Sequence, residues 1–87
     1  LAGAWRGKKP IQRNAIIALA HFKAKEALPE LKEVALNDKR PMIRATAYWA
    51  IGQIDGYNAQ SFIDAHFAKE VEEVQQEMIK GLEMRRN

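Results

Sequence analysis

An apolar face that recurs at near-constant spacing is the feature that most limits what this chain can become. Ile11, Ala15, Ala18, Leu19 and Phe22 sit at offsets of 0, 4, 7, 8 and 11, which is one stripe of an α-helix. The same offsets counted from Ile43 give Ile43, Ala47, Ala50, Ile51 and Ile54. Counted from Val74 they give Val74, Met78, Gly81 and Leu82, and then the polar Arg85. The face thus returns after 32 residues and again after 31. The third member of each stripe is small (Ala18, Ala50 or Gly81), so a neighbouring helix can approach closely there.

A second helix follows each of the first two stripes. Ala27, Leu28, Leu31, Val34 and Ala35 make one apolar face, and Ala59, Phe62, Ile63, His66 and Phe67 make the other. Ala27 lies 16 residues after Ile11 and Ala59 lies 16 after Ile43, so the register carries through both helices of the unit. Each hairpin leaves an apolar face that only a neighbouring hairpin covers. The pattern predicts an all-α fold, an α-solenoid fragment of about five helices stacked as two and a half antiparallel hairpins. The helices are expected near 10–22, 26–37, 41–54, 58–68 and 71–85. Residues 1–9 read as a linker or docking segment and 10–87 as the repeat domain.

The punctuation agrees. Pro10, Pro29 and Pro41 fall at or just before the first turn of a helix, where a missing N–H leaves nothing unpaired. Asp38 and Asn58 are candidate N-caps. Gly56 separates the two helices of the second unit, and Glu72 and Glu73 suit the positive end of the last helix dipole.

Composition excludes several classes of chemistry. No cysteine is present, which removes disulfides, cysteine-held iron–sulfur clusters and thiol catalysis from this chain. The lack of cysteine fits a cytoplasmic protein. No apolar run approaches the roughly 20 residues of a membrane span, and no signal-peptide pattern is seen. The first residue is Leu1 rather than Met, so a piece of a longer protein is expected. His21 and His66 have no second ligand at metal spacing and read as packing or surface residues. Glu72, Glu73, Glu77 and Glu83 read as a solvated helix face. No nucleophile–base pair, metal set or phosphate-loop glycine spacing is present, so no catalytic residue is assigned.

Charge is distributed unevenly along the chain. Residues 1–25 hold Arg6, Lys8, Lys9, Arg13, Lys23 and Lys25 and no acid, whereas residues 55–83 hold seven acids against Lys69 and Lys80. A basic end of this kind suits an anionic partner. Its densest part runs from Arg6 to Arg13, ends beside the amides of Gln12 and Asn14, and leads into a helix start. Arg6, Lys8, Lys9, Arg13 and Asn14 are therefore the candidate contacts for a nucleic-acid backbone. Arg44 reads as part of an inter-repeat hydrogen-bond ladder with Asp38, and Arg13 either joins such a ladder or contacts ligand. Trp5 and Trp49 are candidate docking anchors. Tyr48 and Trp49 lie off the stripe and either pack on a neighbour or stack on a base.

The segments PMIRATAYWAIGQI and EVQQEMIKGLE resemble HEAT-like repeats of the kind also found in phycobilisome-lyase-type proteins. The segment WRGKKPIQRNAIIALAHF, residues 5–22, together with the repeats after it, resembles the C-terminal tail of bacterial epoxyqueuosine reductases. That resemblance covers nearly all of the chain, and Arg13–Asn14 after the basic turn is its most specific element. It implies a part of an oxidoreductase that completes queuosine formation in tRNA. It also implies two [4Fe–4S] clusters and cobalamin in the upstream catalytic region, none of them held by this chain. The expected partners are that upstream domain and tRNA, with no membrane and a monomeric state. The residues leave a second reading open, a structural or protein–protein interaction module with no nucleic-acid role.

Overall fold

A computed structural model of the chain describes residues 11–86. The described residues form α1 (Arg13–His21), a 3-10 turn (Lys25–Ala27), α2 (Leu28–Asn37), α3 (Pro41–Asp55), α4 (Tyr57–Phe67) and α5 (Glu72–Arg86), with no strand among them. α3 lies between α1 and α5 and also packs on α2 and α4. Its central place is visible in its burial: Ile43, Ala45, Thr46, Ala47, Tyr48, Ala50, Ile51, Gly52 and Ile54 are all covered. Small residues make that possible, because Ala45, Ala47, Ala50 and Gly52 let neighbours approach α3 from several sides. Thr46 meets its one polar need inside the helix, donating its hydroxyl to the Met42 carbonyl at 2.8 Å.

The core joins Ile16 and Leu19 of α1, Leu31 and Ala35 of α2, Ala59 and Ile63 of α4, and Val74 and Met78 of α5 around that central helix. Each fully buried Leu or Ile side chain contributes about 1.5–3 kcal/mol. The second-helix faces are those the periodicity predicts, with Ala27, Leu31, Ala35, Ala59 and Ile63 buried.

The predicted face of α1 is one residue out of register. Leu19 is buried as expected, but Ala18 is exposed and Phe22 is 77% exposed, while Ile16 and Ala20 are buried in their place. Burial pairs Ile16 with Ala47, Leu19 with Ala50 and Ala20 with Ile51, an offset of 31 rather than 32. Two local events cause this. Ile11 is buried like Ile43, but Ile11 and Gln12 precede the helix and Gln12 is extended (φ −92°, ψ 152°), which takes up one residue before α1. The residue is recovered after α1, where the chain turns sooner than it does after α3. The predicted start at residue 10 accordingly moves to Arg13.

That early turn is a Schellman motif. The Ala24 N–H donates to Leu19 O at 3.0 Å and the Lys23 N–H donates to Ala20 O at 3.1 Å. Lys23 sits at the left-handed position (φ 53°), where glycine is the usual residue. Its Nζ donates to the Gln53 carbonyl at 3.1 Å, which ties the turn to α3. Phe22 is the C-cap, so its ring leaves the core face at the point where the helix stops.

The second hairpin turns through one residue. Gly56 adopts φ 57°, ψ −122°, a conformation closed to side chains with a Cβ, and α4 begins at the next residue. Asn58 therefore lies inside α4 rather than capping it. Asp38 is likewise not the N-cap of α3: it is the C-cap of α2, and Arg40 holds the N-cap position ahead of Pro41. In the expected second helix, Pro29 blocks an α-helical turn reaching back to Lys25, so residues 25–27 form a tighter 3-10 turn and α2 starts at Leu28.

Candidate nucleic-acid interface

The turn between α2 and α3 is organised by Asp38. Its Oδ1 accepts the Arg40 backbone N–H and the Arg40 Nε–H, both at 2.9 Å, and its Oδ2 accepts Arg40 Nη2 at 2.9 Å. The side-chain hydrogen bonds from Arg40 hold the Asp38 carboxyl below the usual carboxylate range, against the opposing effect of its burial. The same Arg40 Nη2 also donates to the Ile11 carbonyl at 3.0 Å. This single side chain brings the turn before α3 against the residues that lead into α1. Arg13 and Asn14, two and three residues after Ile11, are exposed at the start of α1, and Lys39 is exposed in the turn that Arg40 ties to Ile11. The first turns of α1 and α3 carry no acid, so nothing on these helices offsets the cations there.

Of the residues proposed from sequence for this surface, Arg13 and Asn14 are thus exposed. Arg6, Lys8 and Lys9 lie outside the described residues, as does Trp5. Lys39 is an exposed cation that the sequence pattern did not single out. The turn signal between α2 and α3 was legible, but its closeness to Ile11 depends on Arg40 reaching 29 residues back.

Arg44 organises the next turn. Its Nη1 donates to the Asp38 backbone carbonyl at 2.9 Å, so the two residues do meet, but through the main chain rather than the carboxylate. The carboxylate partner of Arg44 is Glu70, which accepts Nε–H at 2.9 Å and Nη2–H at 3.1 Å in a two-pronged pair. Both side chains are largely covered, 17% and 10% exposed. The hydrogen bonds that Arg44 donates to Glu70 raise the Arg44 pKa above its ordinary value. A cleft of about 240 Å³ opens beside the pair, flanked by Tyr48, His66 and Lys69. Burial, reinforced by Glu70, pushes the Tyr48 phenol up to about 12, so it stays neutral at physiological pH.

The remaining candidates are placed as follows. Tyr48 is 1% exposed with its ring 6.0 Å from that of Phe62, which removes it as a stacking platform. Trp49 is half-buried and packed against the core. The His66 ring lies tilted against that of Phe62 at 4.8 Å and its Nδ1–H donates to the Phe62 carbonyl at 2.8 Å, while His21 is exposed edge-on to Phe22. Among the described residues no group of three or more His, Asp or Glu could hold a metal ion. Glu72 and Glu73 are exposed on α5, and Glu77 pairs with Lys80 at 3.5 Å. No helix among the described residues is long and apolar enough to cross a membrane.

The family model for HEAT repeats matches residues 6–84. The chain belongs to the HEAT-repeat family. It is 70% identical over 86 residues to an epoxyqueuosine reductase of Staphylococcus aureus, covering 99% of this chain and 23% of that protein. It is 54% identical over 85 residues to an epoxyqueuosine reductase of Bacillus subtilis, covering 97% of this chain and 22% of that one. A crystal structure of an epoxyqueuosine reductase with a tRNA-Tyr epoxyqueuosine-modified stem loop superimposes with a TM-score of 0.79 and 52% identity, over 98% of this chain and 23% of that chain. The chain thus spans under a quarter of the length of these reductases.

Proposed function

We propose that this chain is the HEAT-repeat part of an epoxyqueuosine reductase and that it helps hold the tRNA substrate through its basic N-terminal edge, doing no chemistry of its own. The observation that carries the reading is the likeness, over nearly the whole chain, to a reductase crystallised with a modified tRNA stem loop. Arg6, Lys8, Lys9, Arg13 and Asn14 are the contacts, the first four as cations facing phosphates and Asn14 as a neutral hydrogen-bond partner. The reduction itself belongs to the rest of the enzyme. Iron–sulfur clusters are held by cysteine thiolates, and this chain has none, so its residues do not fit a [4Fe–4S] cluster. Clusters and cobalamin are assigned to the upstream catalytic domain, which is also the partner on which Trp5 and Trp49 dock. A tRNA substrate fits a cytoplasmic enzyme, and the proposed state is a monomer.

The test is a titration of the chain with an anticodon stem loop bearing a GUN anticodon, at low and moderate salt. Binding should weaken with salt, with a slope of at most about three to four released counterions. A Lys8/Lys9/Arg13 charge-reversal variant should lose it. Binding that survives the reversal contradicts the assignment, and absence of binding favours the interaction-module reading.

A further inference from the structure

Counted by the repeat offset, the two repeat junctions keep an arginine but carry opposite charge at its counterpart. Burial equates the body of α1 with α3 at an offset of 31, and α3 with α5 at the same offset, Ile43 with Val74 and Ala47 with Met78. At that offset Arg13 corresponds to Arg44, and Lys39 corresponds to Glu70. The backbone agrees on the second pair: Lys39 and Glu70 are each the bend two residues before the next first-layer helix, α3 or α5. In the second junction Arg44 and Glu70 close on each other through two hydrogen bonds. In the first junction the carboxylate is replaced by an ammonium. Among the described residues neither Arg13 nor Lys39 has a hydrogen-bond or ion-pair partner, and both are exposed. The nearby acid does not compensate, because both Asp38 oxygens are taken by Arg40.

We infer that Arg13 and Lys39 bind one phosphodiester group of the RNA backbone, which takes the place that the Glu70 carboxylate holds in the next junction; this rests on the tRNA-docking reading above. A phosphate offers the two oxygens that Arg44 finds on Glu70, and its charge relieves the repulsion between the two cations. Lys39 thereby extends the contact surface from the N-terminal segment onto the second repeat.

The experiment compares Lys39→Glu with Lys25→Glu in the 87-residue chain, using the same anticodon stem loop. The two variants change net charge equally, but Lys25 lies beyond the opposite end of α1. Lys39→Glu is expected to weaken binding about tenfold or more at low salt and to lower the salt slope by about one, while Lys25→Glu changes affinity less than about threefold. Lys39→Arg should retain affinity. The thermal midpoint of Lys39→Glu should equal or exceed that of the unaltered chain, because the new carboxylate can pair with Arg13 as Glu70 pairs with Arg44. Equal losses in the two Glu variants overturn the phosphate site while leaving tRNA docking in place. No binding by the unaltered chain overturns both. Inorganic phosphate that competes beyond its ionic strength assigns the pair to a free anion and overturns the RNA commitment.

Discussion

The first and second repeat junctions are built to one plan and finished differently. Between α3 and α5 a largely covered Arg44–Glu70 pair spans the turn, and Arg44 also anchors the Asp38 carbonyl, so the junction satisfies its own charges. Between α1 and α3, among the described residues, Arg40 reaches the Ile11 carbonyl at one end and Lys23 the Gln53 carbonyl at the other, while Arg13 and Lys39 are exposed. The apolar packing is of one kind at both junctions, with Ile16 and Leu19 standing where Ala47 and Ala50 stand one repeat later. The difference teaches that in a repeat protein a ligand surface can arise where one junction leaves out the partner that the next supplies.

Removing Arg44 should separate the junctions most strongly. Arg44→Ala strands the Glu70 carboxylate, which is 10% exposed, and should cost about 2–3 kcal/mol in urea unfolding. Arg13→Ala at the equivalent site should stay within about 0.5 kcal/mol. Equal costs would break the comparison.

The hairpin links give the next largest effect, with opposite signs. Gly56→Ala forces a Cβ into φ 57°, ψ −122° and should cost about 1–3 kcal/mol. Lys23→Gly relieves the left-handed position of the Schellman turn and should gain about 0.5–1 kcal/mol, partly offset by losing the bond to Gln53. Thermal melts of the two variants check both signs.

The smallest effect is the acid dependence of the Asp38–Arg40 clasp. Asp38 has a lowered folded pKa, so its stabilisation is fully present above its unfolded value of 3.8 and is lost as pH falls through the folded value. Asp38→Asn should flatten the fall in melting temperature below about pH 4 and lower the neutral plateau. A variant whose melting temperature still falls as steeply in acid as that of the unaltered chain would show that Asp38 is not the titrating group.

Much of the fold was legible because helical periodicity and proline placement agree. The second-helix faces and the stripe from Ile43 to Ile54 are buried as the spacing requires. The register of α1 was not legible, since Ala15 to Ala20 is apolar throughout and offers two stripes that differ by one residue. Ile11 and Ile43 share an environment at the longer offset, which hid the slip. Arg44 stood out as a ladder residue, but Glu70 did not, because it lies in a turn 26 residues away and outside any helical pattern. Counting 31 residues from Lys39 would have found it. On the candidate surface, Arg13 and Asn14 were visible as part of an acid-free segment, whereas Lys39 joins them only through the contact that Arg40 makes with Ile11.

The central claim is that tRNA meets the open junction and not the closed one. Backbone amide shifts of the isotope-labelled chain, followed as the anticodon stem loop is added, test it most directly. The largest changes should fall at Arg13, Asn14, Lys39 and Arg40, with Arg44 and Glu70 little changed. Changes centred on α4 and α5, or spread evenly over the surface, would contradict the account.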